Sequence, residues 1–163
     1  MSGDRARVSV AIAVEPALAF QLFTEDIDRW WRRGPRYRHS GSTAGLIRIE
    51  PQLGGRLFES YEHGGMPHVF EVGRIQVWDP PNRLAFSWRN SNFSSDEHTA
   101  VEVSFAATAS GSLVTVTHSR LSTLRADHPA RHGLPPAEYI RMTAMWWSDQ
   151  LTSLRQLSSG PHS

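Results

Sequence analysis

One long amphipathic stripe closes the chain, and everything before it is cut into short pieces; no other feature limits the fold so strongly. Over residues 136–157, Ile140, Ala144, Trp147, Leu151 and Leu154 recur at helical spacing and predict a single apolar helix face. Upstream the period changes to two. Val8, Val10, Ile12 and Val14 alternate with small residues and predict a half-buried strand over 8–14. The same reading predicts strands over 46–50, 56–62, 68–78, 83–89, 99–107 and 113–119. The breaks between them are short and rich in turn residues: Gly54-Gly55, Gly64-Gly65, Pro80-Pro81 and Gly111. Short turns between strands make an antiparallel meander. Pro16 suits the first turn of a helix over 17–24, and a further helical turn over 26–31 ends at Gly34-Pro35.

An open sheet has one apolar face that another element must cover. Only the C-terminal helix is long enough. The expected architecture is therefore α+β: a curved antiparallel sheet wrapped around a long C-terminal helix, with two short helices after the first strand and an apolar cavity between sheet and helix. The 163 residues fit one domain, 1–163, with an ordered core over about residues 6–158.

Composition removes several chemistries. The chain has no cysteine, so disulfides, thiolate metal sites and cysteine nucleophiles are absent. Every basic residue is arginine, which excludes lysine Schiff bases and a P-loop lysine. The net charge is +1, and Arg29, Arg32, Arg33, Arg36 and Arg38 follow Glu25, Asp26 and Asp28. Such a balance lacks the concentrated basic face that nucleic acid requires. No apolar run is long enough for membrane insertion. No signal peptide is evident in the sequence, so a cytoplasmic location is expected.

Several segments together resemble the SRPBCC (START/birch-pollen-allergen-like) superfamily. They are the Pro-Ala-Leu-Ala-Phe-Gln-Leu-Phe-Thr run at 16–24, Trp30-Trp31, Gly54-Gly55-Arg56-Leu57, Gly73-Arg74-Ile75, the stretch from Pro80 to Trp88, Val114 to His118, and the Trp146-Trp147 helix. The order and spacing are most similar to the branch named for the C-terminal domain of the activator of the heat-shock-protein-90 ATPase. The resemblance implies a helix-grip fold and often a ligand cavity. It does not imply chaperone activation, because the activator's N-terminal domain has no counterpart in this sequence. The superfamily includes lipid carriers, polyketide cyclases and hydroxylase domains, so fold alone does not fix the activity.

The leading expectation is a binding protein for a hydrophobic or aromatic small molecule, without a cofactor. Its candidate ligand-binding residues are Trp31, Phe70, Trp88, His118 and Trp147, drawn from inward stripes and the aromatic content. Trp146 and Trp147 are adjacent, so one helix face cannot bury both. The alternative is a polyketide cyclase-like enzyme with His118 or Glu71 as acid or base. His118 shares its facing with Val114 and Val116 on the last strand, near the expected cavity mouth. Glu71 shares a facing with Val69, Gly73, Ile75 and Val77, and Arg74 shares the opposite one with Phe70, Val72 and Trp78; strand parity leaves open which set faces inward. A third reading is a chaperone-cofactor-like or regulatory interaction module. Monomer and homodimer are both compatible with the sequence. His128, His132 and Asp127 have helical metal-ligand spacing, but Pro129 interrupts them and no metal site is expected. The irregular stretch over 120–135 is a candidate gate.

Overall fold

A computed structural model describes residues 5–39, 45–89, 99–121 and 136–160. The elements in order are β1 (Ala6–Ile12), α1 (Pro16–Thr24), α2 (Ile27–Trp30), β2 (Gly45–Ile49), β3 (Arg56–His63), β4 (Met66–Asp79), β5 (Arg83–Trp88), β6 (Thr99–Thr108), β7 (Gly111–Ser119) and α3 (Pro136–Ser158). The strands form one seven-stranded antiparallel sheet in the order β1-β7-β6-β5-β4-β3-β2. Each neighbour pair from β2 to β7 is joined directly, as the short turns predict. β1 instead returns beside β7, so the first and last strands meet. This is the helix-grip arrangement: α3 runs against β1 and also meets α1 and α2.

Two irregularities give β4 its bend. Its register against β3 shifts between Leu57 and Phe58, and against β5 between Ile75 and Val77. Each extra residue reverses the facing of the residues beyond it. The residues of β4 that meet the core are therefore Phe70, Val72, Ile75 and Trp78, which share no single parity. This corrects the parity sets drawn from sequence. Gly73 sits at the first bend with no room for a side chain: a Cβ there would lie 1.6 Å from the carbonyl oxygen of Ser87. The Ser87 hydroxyl accepts the Arg74 N–H at 2.9 Å at the same place.

The α1 end of the core is aromatic. Phe20 meets Trp78 and Phe105 at 5.1 Å each, and Phe23 meets Trp30 at 4.8 Å. The buried line of α3 differs from the expected stripe. Trp147, Leu151 and Leu154 are buried, but the line continues through Tyr139, Thr143 and Gln150, while Ile140 and Ala144 are only half-buried. Thr143 is satisfied by the carbonyl of Tyr139 at 3.0 Å. Tyr139 joins Ala6 and Leu121 in a second small cluster against which Ile140 and Ala144 pack.

The free edge of β2 is partly covered. Asp28 of α2 accepts the Ile47 N–H at 3.0 Å, and Arg33 donates to the Gly45 carbonyl at 3.2 Å. Capping an edge strand in this way removes a template for pairing with another chain.

Candidate functional site

The inner face at the β5–β6–β7 end of the sheet holds a cluster of indoles. Trp88, the last residue of β5, points inward. Trp147 comes down from α3, and Trp31 comes across from the end of α2. Trp31 and Trp88 stack with centroids 5.8 Å apart and planes 30° apart. Trp147 stands edge-on to Trp31 at 5.8 Å and tilted on Trp88 at 5.6 Å. Trp146 closes the group, edge-on to Trp31 at 5.7 Å and Trp88 at 5.5 Å. The adjacent pair divides as helix geometry requires: Trp147 is buried, and Trp146 is half-buried beside Tyr37.

The indole N–H groups are held by the protein. Trp31 donates to the Tyr37 carbonyl at 3.1 Å and Trp146 to the Arg36 carbonyl at 2.8 Å. Trp147 donates to Nδ1 of His118 at 3.1 Å. This last bond fixes the state of the imidazole. An indole nitrogen can only donate, so Nδ1 must be the bare acceptor and the proton sits on Nε2. Nε2 then donates to the Thr99 hydroxyl at 2.6 Å, and Thr99 in turn donates to the Trp88 carbonyl at 3.4 Å. The chain Trp147–His118–Thr99–Trp88 thus ties α3 to three strands. His118 is 4% exposed, and burial pushes its pKa down to about 3. It is a neutral, doubly hydrogen-bonded side chain that closes the end of the sheet. An acid or base role would require it to break this chain first.

The segment that presents Trp31 is clamped by a buried arginine. The Arg38 side chain is 2% exposed and pairs with Asp28 at 2.7 Å. It also donates to the carbonyls of Trp31 at 2.7 Å and Arg32 at 3.1 Å. Burial works to raise the Asp28 pKa, but the Ile47 N–H and the Arg38 and Arg33 guanidiniums together hold it below the ordinary carboxylate value. Sequence reading set Arg38 among the arginines that follow Glu25, Asp26 and Asp28 and missed this role. The pairing spans ten residues of irregular chain, and no periodic signal marks it.

Phe70 lies on the same inner face, on β4. It stacks on the His39 ring at 4.2 Å with planes 17° apart. Beside it on β3 is Glu59, which is 3% exposed, faces inward and accepts the His39 N–H at 2.6 Å. Glu59 is a second polar residue that the sequence reading overlooked, although it shares the parity of the buried Leu57. Glu71 goes the other way. The bulge leaves it on the outer face, half-exposed and paired with Arg74 at 2.8 Å. The structure thus brings together Trp31, Trp88, His118 and Trp147, sets Phe70 on the same face, and places Glu71 away from them.

His63, at the end of β3, and His68, on β4, are exposed. The stretches holding His128, His132 and Asp127, and most of the 120–135 gate, lie outside the described residues. Among the described residues no group of three or more His, Asp or Glu could hold a metal. Among them, too, no helix is long and apolar enough to cross a membrane.

Known structures share this architecture. A protein from Chromobacterium violaceum superposes with a TM-score of 0.64 at 14% identity, covering 97% of this chain and 99% of its own. A protein of unknown function from Staphylococcus aureus gives 0.67 at 14% identity, covering 94% and 92%. One from Nitrosomonas europaea gives 0.63 at 15% identity, covering 96% and 95%. At such identities the likeness concerns fold alone. No curated protein matches the chain. Residues 13–158, which include every element of the sheet-and-helix core except β1, match the model of the activator of Hsp90 ATPase homolog 1-like proteins, and the chain belongs to that family.

Proposed function

We propose that the chain binds an apolar, ring-bearing small molecule against the inner face of the sheet. The wall would consist of Trp31, Phe70, Trp88 and Trp147, with His118 accepting the Trp147 N–H and packing edge-on to Trp88. The observation that carries this reading is the indole cluster itself. The rings of Trp31, Trp88 and Trp147 are buried against one another, and three of the four indole N–H groups are engaged by protein acceptors, so a ligand that enters among the rings meets aromatic faces with few free polar groups. A wall of this kind with few polar groups is the usual recipe for a small-molecule site. A ligand burying roughly 300 Å² of apolar area gains about 7 kcal/mol before the costs of association, which points to micromolar affinity or weaker. A cytoplasmic location belongs to the same proposal.

The binding reading is preferred to a cyclase because neither acid/base candidate is free. Both His118 nitrogens are committed, and Glu71 is paired on the outer face. An interaction module has one feature in its favour. Exposed Leu46 and Val69 flank Ser60 across β2, β3 and β4 on the outer face.

Native mass spectrometry of freshly purified protein, followed by denaturing extraction, tests the proposal. A co-purifying apolar molecule supports it, and Trp31→Ala should then weaken rebinding about tenfold or more. If nothing co-purifies and a broad panel of aromatic ligands neither quenches tryptophan fluorescence nor raises the melting temperature, the binding reading is wrong.

A further inference from the structure

Gln150 is an unusual residue to find at the centre of α3. Its relative exposure is 0%, and it lies beside the tryptophan cluster. Its Oε1 accepts the backbone N–H of Arg32 at 2.9 Å. That bond fixes the amide orientation, because a flipped amide would set a donor against a donor. Its Nε2 then has no acceptor among the described residues. Leaving a buried donor unpaired costs roughly 1–3 kcal/mol, so such groups are rare and call for an explanation.

The position of that donor is informative. Trp147 and Trp146 precede Gln150 by three and four residues, so each neighbours Gln150 across one turn of α3. Helical side chains lean toward the N-terminus, which lays the Gln150 amide over the turn that carries the two indoles. On the other side, its Oε1 contacts the residue after Trp31, and Trp31 packs against both Trp146 and Trp147. The amide therefore borders the cluster from two directions. Nearby polar groups are already engaged: the N–H groups of Trp31, Trp146 and Trp147, and both nitrogens of His118. The other buried donor without an acceptor among the described residues, Arg89 Nε, belongs to a half-exposed side chain at the end of β5.

We infer that Gln150 Nε2 is the hydrogen-bond donor that selects the ligand, which therefore carries a carbonyl-type oxygen on a flat apolar frame. This rests on the binding reading above and narrows it from apolar molecules in general to aromatic ketones and their like. A pure hydrocarbon of the same shape leaves the donor unpaired and binds less well.

The test uses two matched pairs of probes, 2-acetylnaphthalene with 2-ethylnaphthalene and fluorenone with fluorene, titrated by tryptophan fluorescence. The intact chain should bind each ketone about tenfold more tightly than its hydrocarbon partner. In Gln150→Met the ratio should fall to about one. A readout that needs no variant is the Gln150 side-chain amide in a ¹⁵N-correlated NMR spectrum, whose signals should shift with the ketones and stay in place with the hydrocarbons. If ketone and hydrocarbon bind alike, or if discrimination survives in Gln150→Met, the inference fails while the binding reading stands. If neither member of either pair binds, the inference fails, and the co-purification and broad-panel test above decides the binding reading separately.

Discussion

The state of His118 leads to a measurable pH dependence of stability. In the folded chain its Nδ1 faces the Trp147 N–H at 3.1 Å, and its pKa is pushed down to about 3 by burial, against 6.5 when unperturbed. Adding a proton would set two donors face to face in a dry site. The unfolded chain therefore binds the proton more readily than the folded one. The contribution is fully present above the unfolded value and is lost as pH falls from there toward the folded value. Between pH 7.5 and pH 5.0 the linkage amounts to about 2 kcal/mol. For a chain of this size that lowers the melting temperature by about 4–8 °C.

Urea unfolding at pH 5.0, 6.0 and 7.5, followed by tryptophan fluorescence, measures this directly. His118→Gln retains hydrogen-bonding capacity but cannot titrate, so its stability should change less over this range by the same 2 kcal/mol or so. The window lies above the carboxylate values, which leaves the imidazole as the group that distinguishes the two proteins. The imidazole can also be watched in the unmodified chain, where ¹⁵N shifts should report a neutral ring protonated at Nε2 down to about pH 4. A wild-type profile as flat as the variant's, or an imidazolium signal in the folded chain at pH 5.5, would refute the assignment of the Trp147–His118 bond.

Three further outcomes are expected from other parts of the fold. Gly73→Ala should cost about 3 kcal/mol or more in urea unfolding, since its Cβ would meet the Ser87 carbonyl at 1.6 Å and only backbone movement could relieve the clash. Asp28→Ala should cost about 3–5 kcal/mol by leaving the buried Arg38 guanidinium without its anion, and it should speed hydrogen exchange of the Ile47 amide, which loses its acceptor. In the parent chain the Asp28 carboxylate, whose pKa is lowered, should lend its stability above the usual carboxylate range and lose it as pH falls below its folded value, visible as further loss of stability on acid titration. Leu154→Ala should cost about 2–5 kcal/mol, because the residue is fully buried in the main core.

Much of the fold could be read from periodicity. Segments of period two became strands within about two residues of their expected limits, and the single long stripe became α3. These succeed because burial on one face imposes a repeat that survives in sequence. Parity over the 14 residues of β4 failed for an equally physical reason. Each bulge inserts a residue whose position depends on the partner strand, and no local pattern announces it. The pairing that hides Gly73 against Ser87 decides which side Glu71 takes, so its assignment needed the sheet.

The site divides along the same line. That Trp31, Trp88, His118 and Trp147 lie together was legible because large apolar or ring-bearing side chains on inward stripes have one common destination. Arg38, Glu59 and Gln150 could not, because a buried polar residue looks like an interruption of the stripe until its partner is known. Arg38 is explained by Asp28 and two carbonyls, and Glu59 takes the His39 N–H. Gln150 differs from both: one half of its amide is explained by Arg32, and the other half is not explained by any described residue. Apolar periodicity therefore locates the aromatic cluster, while the polar exceptions to it become legible only with their partners. Among those exceptions, Gln150 is the one that keeps a buried donor unpaired among the described residues, which is why the ligand proposal rests on it.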